Sequence, residues 1–215
     1  MPAVPLKPEY GPTLGQLLAP RWQRASRRSR VFVVLVLLVL VALLLSAAFT
    51  LENAQYAHGG PVPFSFSYRD LYRRIPAADE YVRVQSRSRA GLSDSFAVGP
   101  LMLPAYTVPL NVELPLYAAA YIPRLSRRYE AFQLRGEGET KVNTVPAYEI
   151  LYDARVSGRA MYGRDILLLP ERHHPRAGVF ITMLSSPAMN PGVTSPMLVG
   201  TTGVLELPVE TFTIG

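Results

Sequence analysis

His173 and His174 form the one local cluster with ligand character, with Glu171 and Asp165 nearby. Adjacent side chains on an extended chain point to opposite faces, so the two histidines suit a single metal poorly. Pro170, Pro175 and Gly178 around them predict an exposed loop, and no metal is expected. Acyl transfer wants a nucleophile on a strained turn such as G-x-S-x-G, with His and Asp partners. No such pentapeptide occurs, and Ser93, Ser95, Ser185 and Ser186 read as turn or strand serines. Glu137 and Glu139 share one face of a strand and could in principle do acid–base work. Lys141 continues the same row, which predicts a charged face toward solvent. Gly136-x-Gly138 lacks the third glycine and the strand-to-helix context of a phosphate loop. Cysteine is absent, which excludes a disulfide scaffold, a thiol nucleophile, a Cys-ligated zinc site and an iron–sulfur cluster. The chain is therefore expected to be non-enzymatic and to carry no cofactor.

Contact residues are more prominent than catalytic ones. Tyrosines recur from Tyr68 to Tyr162, and tyrosine serves both in cores and at interfaces. Two proline-rich stretches, Gly99–Pro115 and Pro187–Pro196, are unusually apolar for loops. Leu101, Met102, Leu103, Tyr106, Met189 and Met197 in or beside them are the candidate interaction residues, since loops that expose Met and Leu mark partner or lipid surfaces. The competing reading lays the same residues on a sheet as core.

The elements that must position these residues begin with a membrane segment. Val31–Leu51 is a run of 21 residues without a charge. As a helix it would be about 32 Å long, the thickness of a bilayer's hydrocarbon core. Arg21, Arg24, Arg27, Arg28 and Arg30 precede it and Glu52 follows it. Positive flanks stay cytoplasmic, so the expected topology is single-pass, with the N-terminus inside and the C-terminal part extracytoplasmic. Trp22, Arg24, Arg27, Arg28 and Arg30 are the expected membrane-flanking residues. A cleaved signal peptide is the rival, with a small-residue pattern at Ser46-Ala47-Ala48, but its apolar core would be shorter.

The 215 residues carry 22 basic and 16 acidic side chains, a net charge of +6. Six basic groups and one acid lie in residues 1–30, and residues 52–215 hold 16 basic against 15 acidic groups. The outer part is nearly neutral, so no nucleic-acid-binding domain is indicated. Residues 1–30 read as a cytoplasmic basic, proline-containing tail, 31–51 as the transmembrane helix, 52–61 as a linker and 62–215 as an extracytoplasmic domain.

Within that domain Phe64, Phe66 and Tyr68 alternate with serines, which predicts a strand with one aromatic face. Tyr81–Ser86 alternates more weakly, Ser95–Leu103 is a second apolar stretch interrupted by Gly99-Pro100, and proline punctuation over Pro104–Pro115 predicts loop or edge strand. Tyr117, Tyr121 and Leu125 recur at helical spacing and predict an amphipathic helix over Leu116–Tyr129, with Pro123 as a kink or a later start. Strands are expected over Phe132–Val142, Pro146–Val156, Ala160–Leu169, Val179–Ser185 and Leu205–Ile214. Turns at Val142-Asn143-Thr144 and Ser157-Gly158 are short enough to join antiparallel neighbours. The predicted fold class is α+β, an antiparallel sheet packed with helix.

The helix Leu116–Tyr129, then Phe132-Gln133-Leu134-Arg135-Gly136-Glu137-Gly138, then Lys141-Val142-Asn143-Thr144-Val145-Pro146-Ala147-Tyr148 resembles the middle of PsbP-like domains, a fold shared with LpqN-type lipoproteins. The opening Phe64–Tyr68 resembles the family's first strand and Gly203–Gly215 its last. Thr144 stands where the family's turn has Gly, and the segment after Ser185 is proline-rich where many members have a second long helix. The resemblance implies a PsbP-like α/β sandwich with no shared catalytic residues, and the apolar run places one transmembrane helix before it. It implies an accessory protein at a cell membrane or envelope, partnered by the lipid bilayer and an unidentified envelope protein. The alternative function is a carrier or sensor holding a small apolar ligand or lipid between helix and sheet.

Overall fold

The computed structural model describes residues 26–49, 53–89, 91–103, 109–170 and 177–215. The chain divides into two units, residues 1–51 and 52–215. In the first, helix α1 runs from Arg27 to Phe49. Side chains are described for residues 31–42 of it, and all are exposed. Over the described residues no helix is long and apolar enough to cross a membrane. Trp22 and Arg24 lie outside the described residues, and Arg27, Arg28 and Arg30 sit in the first turn of α1.

Among the described residues the second unit holds ten strands: β1 (Asn53–His58), β2 (Phe64–Arg69), β3 (Arg73–Ile75), β4 (Val82–Ser88), β5 (Gly91–Met102), β6 (Glu130–Val142), β7 (Val145–Val156), β8 (Arg159–Leu168), β9 (Ala177–Ser185) and β10 (Thr213–Ile214). Helix α2 (Leu110–Arg128) lies between β5 and β6, and the short helix α3 (Glu206–Glu210) precedes β10. Seven strands form one sheet in the order β3-β4-β5-β9-β8-β7-β6, and β1-β2-β10 form a smaller one. Every strand pairing is antiparallel. This is the α+β architecture that the alternating sequence predicts.

Period-2 alternation sends the two faces of the large sheet to different partners. Ile166 and Leu168 join Phe64, Phe66, Phe96 and Phe212 in a core under the small sheet. Leu167 and Leu169 join Ile150, Tyr152 and Leu184 in a core under α2. Helix α2 buries Leu114, Ala118 and Leu125 there, while Arg127 and Arg128 occupy its last turn, where the helix dipole favours cations.

Three expectations need correction. The stretch 52–61 is not a linker throughout, because β1 pairs with β2 from Asn53↔Arg69 to His58↔Phe64. Its Tyr56 packs on the aromatic core, and His58 stacks within 5.0 Å of Phe64, so His58 is packed rather than solvated. Helix α2 begins at Leu110 and contains both Pro115 and Pro123. Burial of Leu114 and Ala118 outweighs the single hydrogen bond that each proline removes. Leu205–Ile214 is not a strand: Leu205, Pro208 and Phe212 are buried at helical spacing around α3, leaving two residues of β10. The Thr211 hydroxyl donates to the Leu207 carbonyl at 2.7 Å and accepts from the Ser67 amide at 2.9 Å, which ties α3 to β2.

Close approach of rings to backbone fixes the register of the large sheet. Tyr152 faces Gly163 across β7 and β8, and Phe180 faces Gly99 across β9 and β5. A methyl group on either glycine would overlap the opposing ring, so glycine is required for the ring to lie flat across its neighbour. Gly163→Ala is expected to destabilise the fold by about 2 kcal/mol or more, the range for overpacking a closed core. Thermal unfolding of the full chain, followed by near-ultraviolet circular dichroism, measures it.

Candidate functional site

Helix α2 covers part of one face of the large sheet and leaves the β4–β5 side open. The arrangement is set by a buried carboxylate. Asp165 on β8 is fully buried. It accepts hydrogen bonds from the Tyr121 hydroxyl of α2 at 3.0 Å and the Tyr152 hydroxyl of β7 at 2.9 Å. Thr182 lies opposite Asp165 in the β8–β9 register. Its hydroxyl lies close enough to Asp165 to favour the charged carboxylate. Burial pushes Asp165 up from its ordinary value to about 6, against the two tyrosine hydrogen bonds and the Arg128 charge, which favour the anion. Burial also raises the pKa of Tyr121, Tyr152 and Tyr129, with Asp165 adding to each, so all three remain neutral.

Beyond the end of α2 the open part of the sheet becomes a cleft of about 480 Å³. Its lining includes Gln85, Ser95, Ala97, Thr182 and Leu184, which register places side by side on β4, β5 and β9. Arg83, Arg87, Arg128, Arg155 and Arg159 also line it, from β4, the end of α2 and the two sides of the β7–β8 turn. Ser157 and Gly158 at that turn both have positive φ, 52° and 76°, the geometry of the tight hairpin that the sequence predicts. The Arg159 guanidinium lies against Gly91, close enough that a Cβ there would be 3.1 Å from its Cζ.

The charges in this cleft are unequally matched. Arg83 forms an ion pair with Glu80, and Arg128 reaches the same carboxylate at 3.6 Å. Arg87 donates to the Gln85 side-chain oxygen at 3.2 Å. Glu130 is the one acid in the lining. Among the described residues Arg87, Arg155 and Arg159 form no ion pair.

Other polar clusters serve the fold. Asp94 accepts from the hydroxyls of Ser93 at 2.7 Å and Ser185 at 2.8 Å and from the Asn190 amide at 2.7 Å. Arg164 binds Glu149 at 2.7 Å and the Val199 carbonyl at 3.1 Å, holding the C-terminal segment to the sheet. Glu137, Glu139 and Lys141 are exposed along β6, as the sequence predicts. Among the described residues no group of three or more His, Asp or Glu could hold a metal; His173 and His174 lie outside them.

The candidate interaction residues separate. Leu101 and Leu103 are buried in the core beneath α2, because strand β5 extends through Gly99 and Pro100 to Met102. Met102, Met189 and Met197 are exposed, at 61%, 37% and 65%, and Tyr106 lies outside the described residues. The arginine cleft was missed by sequence reasoning, because its residues come from five separated segments with no local motif.

No known protein family and no curated protein matches the sequence. Solved structures do. The solution structure of cyanobacterial PsbP (CyanoP) from Synechocystis sp. PCC 6803 aligns with a TM-score of 0.52 at 9% identity, over 77% of this chain and 94% of that one. LpqN of Mycobacterium tuberculosis, described as involved in cell envelope biogenesis, aligns at a TM-score of 0.47 and 11% identity, over 76% and 91%. The Saccharomyces cerevisiae Ran-binding protein Mog1p aligns at 0.47 and 9%, over 76% and 96%. The fold is PsbP-like. At such identities the likeness concerns fold alone.

The sign of the Asp165 effect is testable. A folded-state pKa raised to about 6 means that the folded chain binds more protons than the unfolded one between the ordinary carboxylate value and pH 6. Stability is therefore expected to fall as pH rises through that window, by about 3 kcal/mol at most for this group. Asp165→Asn removes the titration, so the difference in thermal stability between wild type and variant should change with pH across this window and flatten above it.

Proposed function

We propose that the chain is a single-pass membrane protein whose PsbP-like unit acts outside the cytoplasm as a non-catalytic docking module for an envelope or membrane-complex partner. The observation that carries the reading is the uncharged run Val31–Leu51, most of which lies in the continuous helix α1, behind a cluster of arginines. Such a run inserts into a bilayer with its positive flank inside. The proposed organisation is a tail over 1–30, a span over 31–51 and an outer unit that starts with β1.

The non-catalytic part of the reading rests on how the buried polar groups are used. Asp94, Asp165 and the Arg164–Glu149 pair are each engaged in holding elements together. Exposed Met102, Met189 and Met197 supply adaptable apolar contact for a protein partner. Met197 borders a shallow cleft of about 370 Å³ with Arg135, Asp153 and Tyr162. The carrier alternative, with an apolar ligand between helix and sheet, is not favoured, because Leu114, Ala118, Leu125, Ile150 and Tyr152 pack into that space.

Two measurements check the proposal. In spheroplasts a C-terminal tag on the full chain should be digested by external protease, and the chain should stay with membranes through an alkaline wash. A protected tag, or a chain that remains in solution without detergent, contradicts it. A photo-crosslinking residue at position 197 should trap a discrete protein adduct in native membranes, and one at position 139, on the charged face of β6, should not.

A further inference from the structure

The arginine cleft holds more positive charge than the fold uses. Of its five arginines, Arg83 and Arg128 share Glu80, and Glu130 is the one acid in the lining. Arg87, Arg155 and Arg159 are exposed, and none of the three forms an ion pair among the described residues. Like charges gathered at one concave site repel one another, and an anion placed among them relieves that repulsion. The floor beneath these arginines is polar, with Gln85, Ser95 and Thr182 in the lining.

We propose that this cleft binds a phosphate group, carried on a small organic molecule or on a lipid headgroup, held by the guanidinium groups of Arg87, Arg155 and Arg159. Guanidinium forks match phosphate oxygens two at a time, and a phosphate accepts from several such donors together. The volume of about 480 Å³ is that of a small-molecule site. The mouth is built on the tight Ser157-Gly158 turn, and the Arg159 guanidinium lies against the Gly91 backbone. This assignment does not depend on the membrane anchor or on a protein partner, and it stands or fails separately from them.

The test uses the full chain in nonionic detergent and sn-glycerol 3-phosphate as the soluble probe, followed by titration calorimetry. Binding is expected, weakening as salt rises. The Arg155→Gln/Arg159→Gln double variant should bind at least about tenfold more weakly, and Lys141→Gln, on the exposed row of β6 outside the cleft, should bind as wild type does. Both altered positions are exposed at a turn, and an unchanged melting temperature without probe verifies the fold. A second arm places wild type and double variant in nanodiscs of phosphatidylcholine with or without phosphatidylglycerol. Stabilisation by phosphatidylglycerol in wild type alone identifies a headgroup as the source, whereas binding of glycerol 3-phosphate alone identifies a free organic phosphate. Either result supports the proposal. Absence of both, undiminished binding by the double variant, or tighter binding of glutarate or an acidic peptide than of glycerol 3-phosphate overturns it.

Discussion

One buried carboxylate organises the helical face of this fold. Asp165 sits fully enclosed on β8, and its two oxygens each accept a tyrosine hydroxyl, one from α2 and one from β7. A carboxylate without such partners would be costly to bury. The Tyr152 hydroxyl can reach it only because Gly163 lets the ring lie across β8. Tyr129, at the end of α2, then stacks on Tyr152 with centroids 5.6 Å apart. These contacts fix where the helix stops, and where it stops decides where the sheet is left open. The cationic cleft is the space that remains.

The opposite face of the large sheet is closed by different means. The small sheet lays Phe64 and Phe66 over Phe96, with Phe66 and Phe96 centroids 4.8 Å apart. The C-terminal segment is then tied down by Arg164 and by the Thr211 bridge to β2. One face of the sheet is thus committed to packing, and the other is divided between packing and an open cleft lined by arginine. Such a division suits a binding module, in which a rigid scaffold presents a few contact groups at its margin.

Much of the scaffold was legible in the sequence, because alternation and turn chemistry are local. Phe64–Tyr68 announces β2, and Ser157-Gly158 announces the β7–β8 hairpin in two residues. The misreadings share a cause: local signals were outweighed by partners distant in the chain. Asn53–His58 contains a flexible-looking end, yet pairing with β2 along its whole length makes it a strand. Pro109 and Pro115 look like loop punctuation, yet α2 runs from Leu110 because its apolar face is buried. Leu101 and Leu103 look like exposed loop residues, yet β5 carries them under the helix. The cleft had no local signature at all. Arg83 and Arg87 share a strand, but Arg128 ends a helix and Arg155 and Arg159 flank a hairpin, so only the folded sheet brings them together.

The account rests on a sheet face that is sealed by helix α2 around Asp165 and left open and cationic beside it. Mass-spectrometric mapping of an arginine-selective dicarbonyl reagent on the full chain reads this directly. Arg87, Arg155 and Arg159 should react readily in the free protein and become protected together when glycerol 3-phosphate is added, while Arg135 keeps its rate. Equal reactivity with and without the phosphate, or protection spread evenly over all surface arginines, would contradict the account.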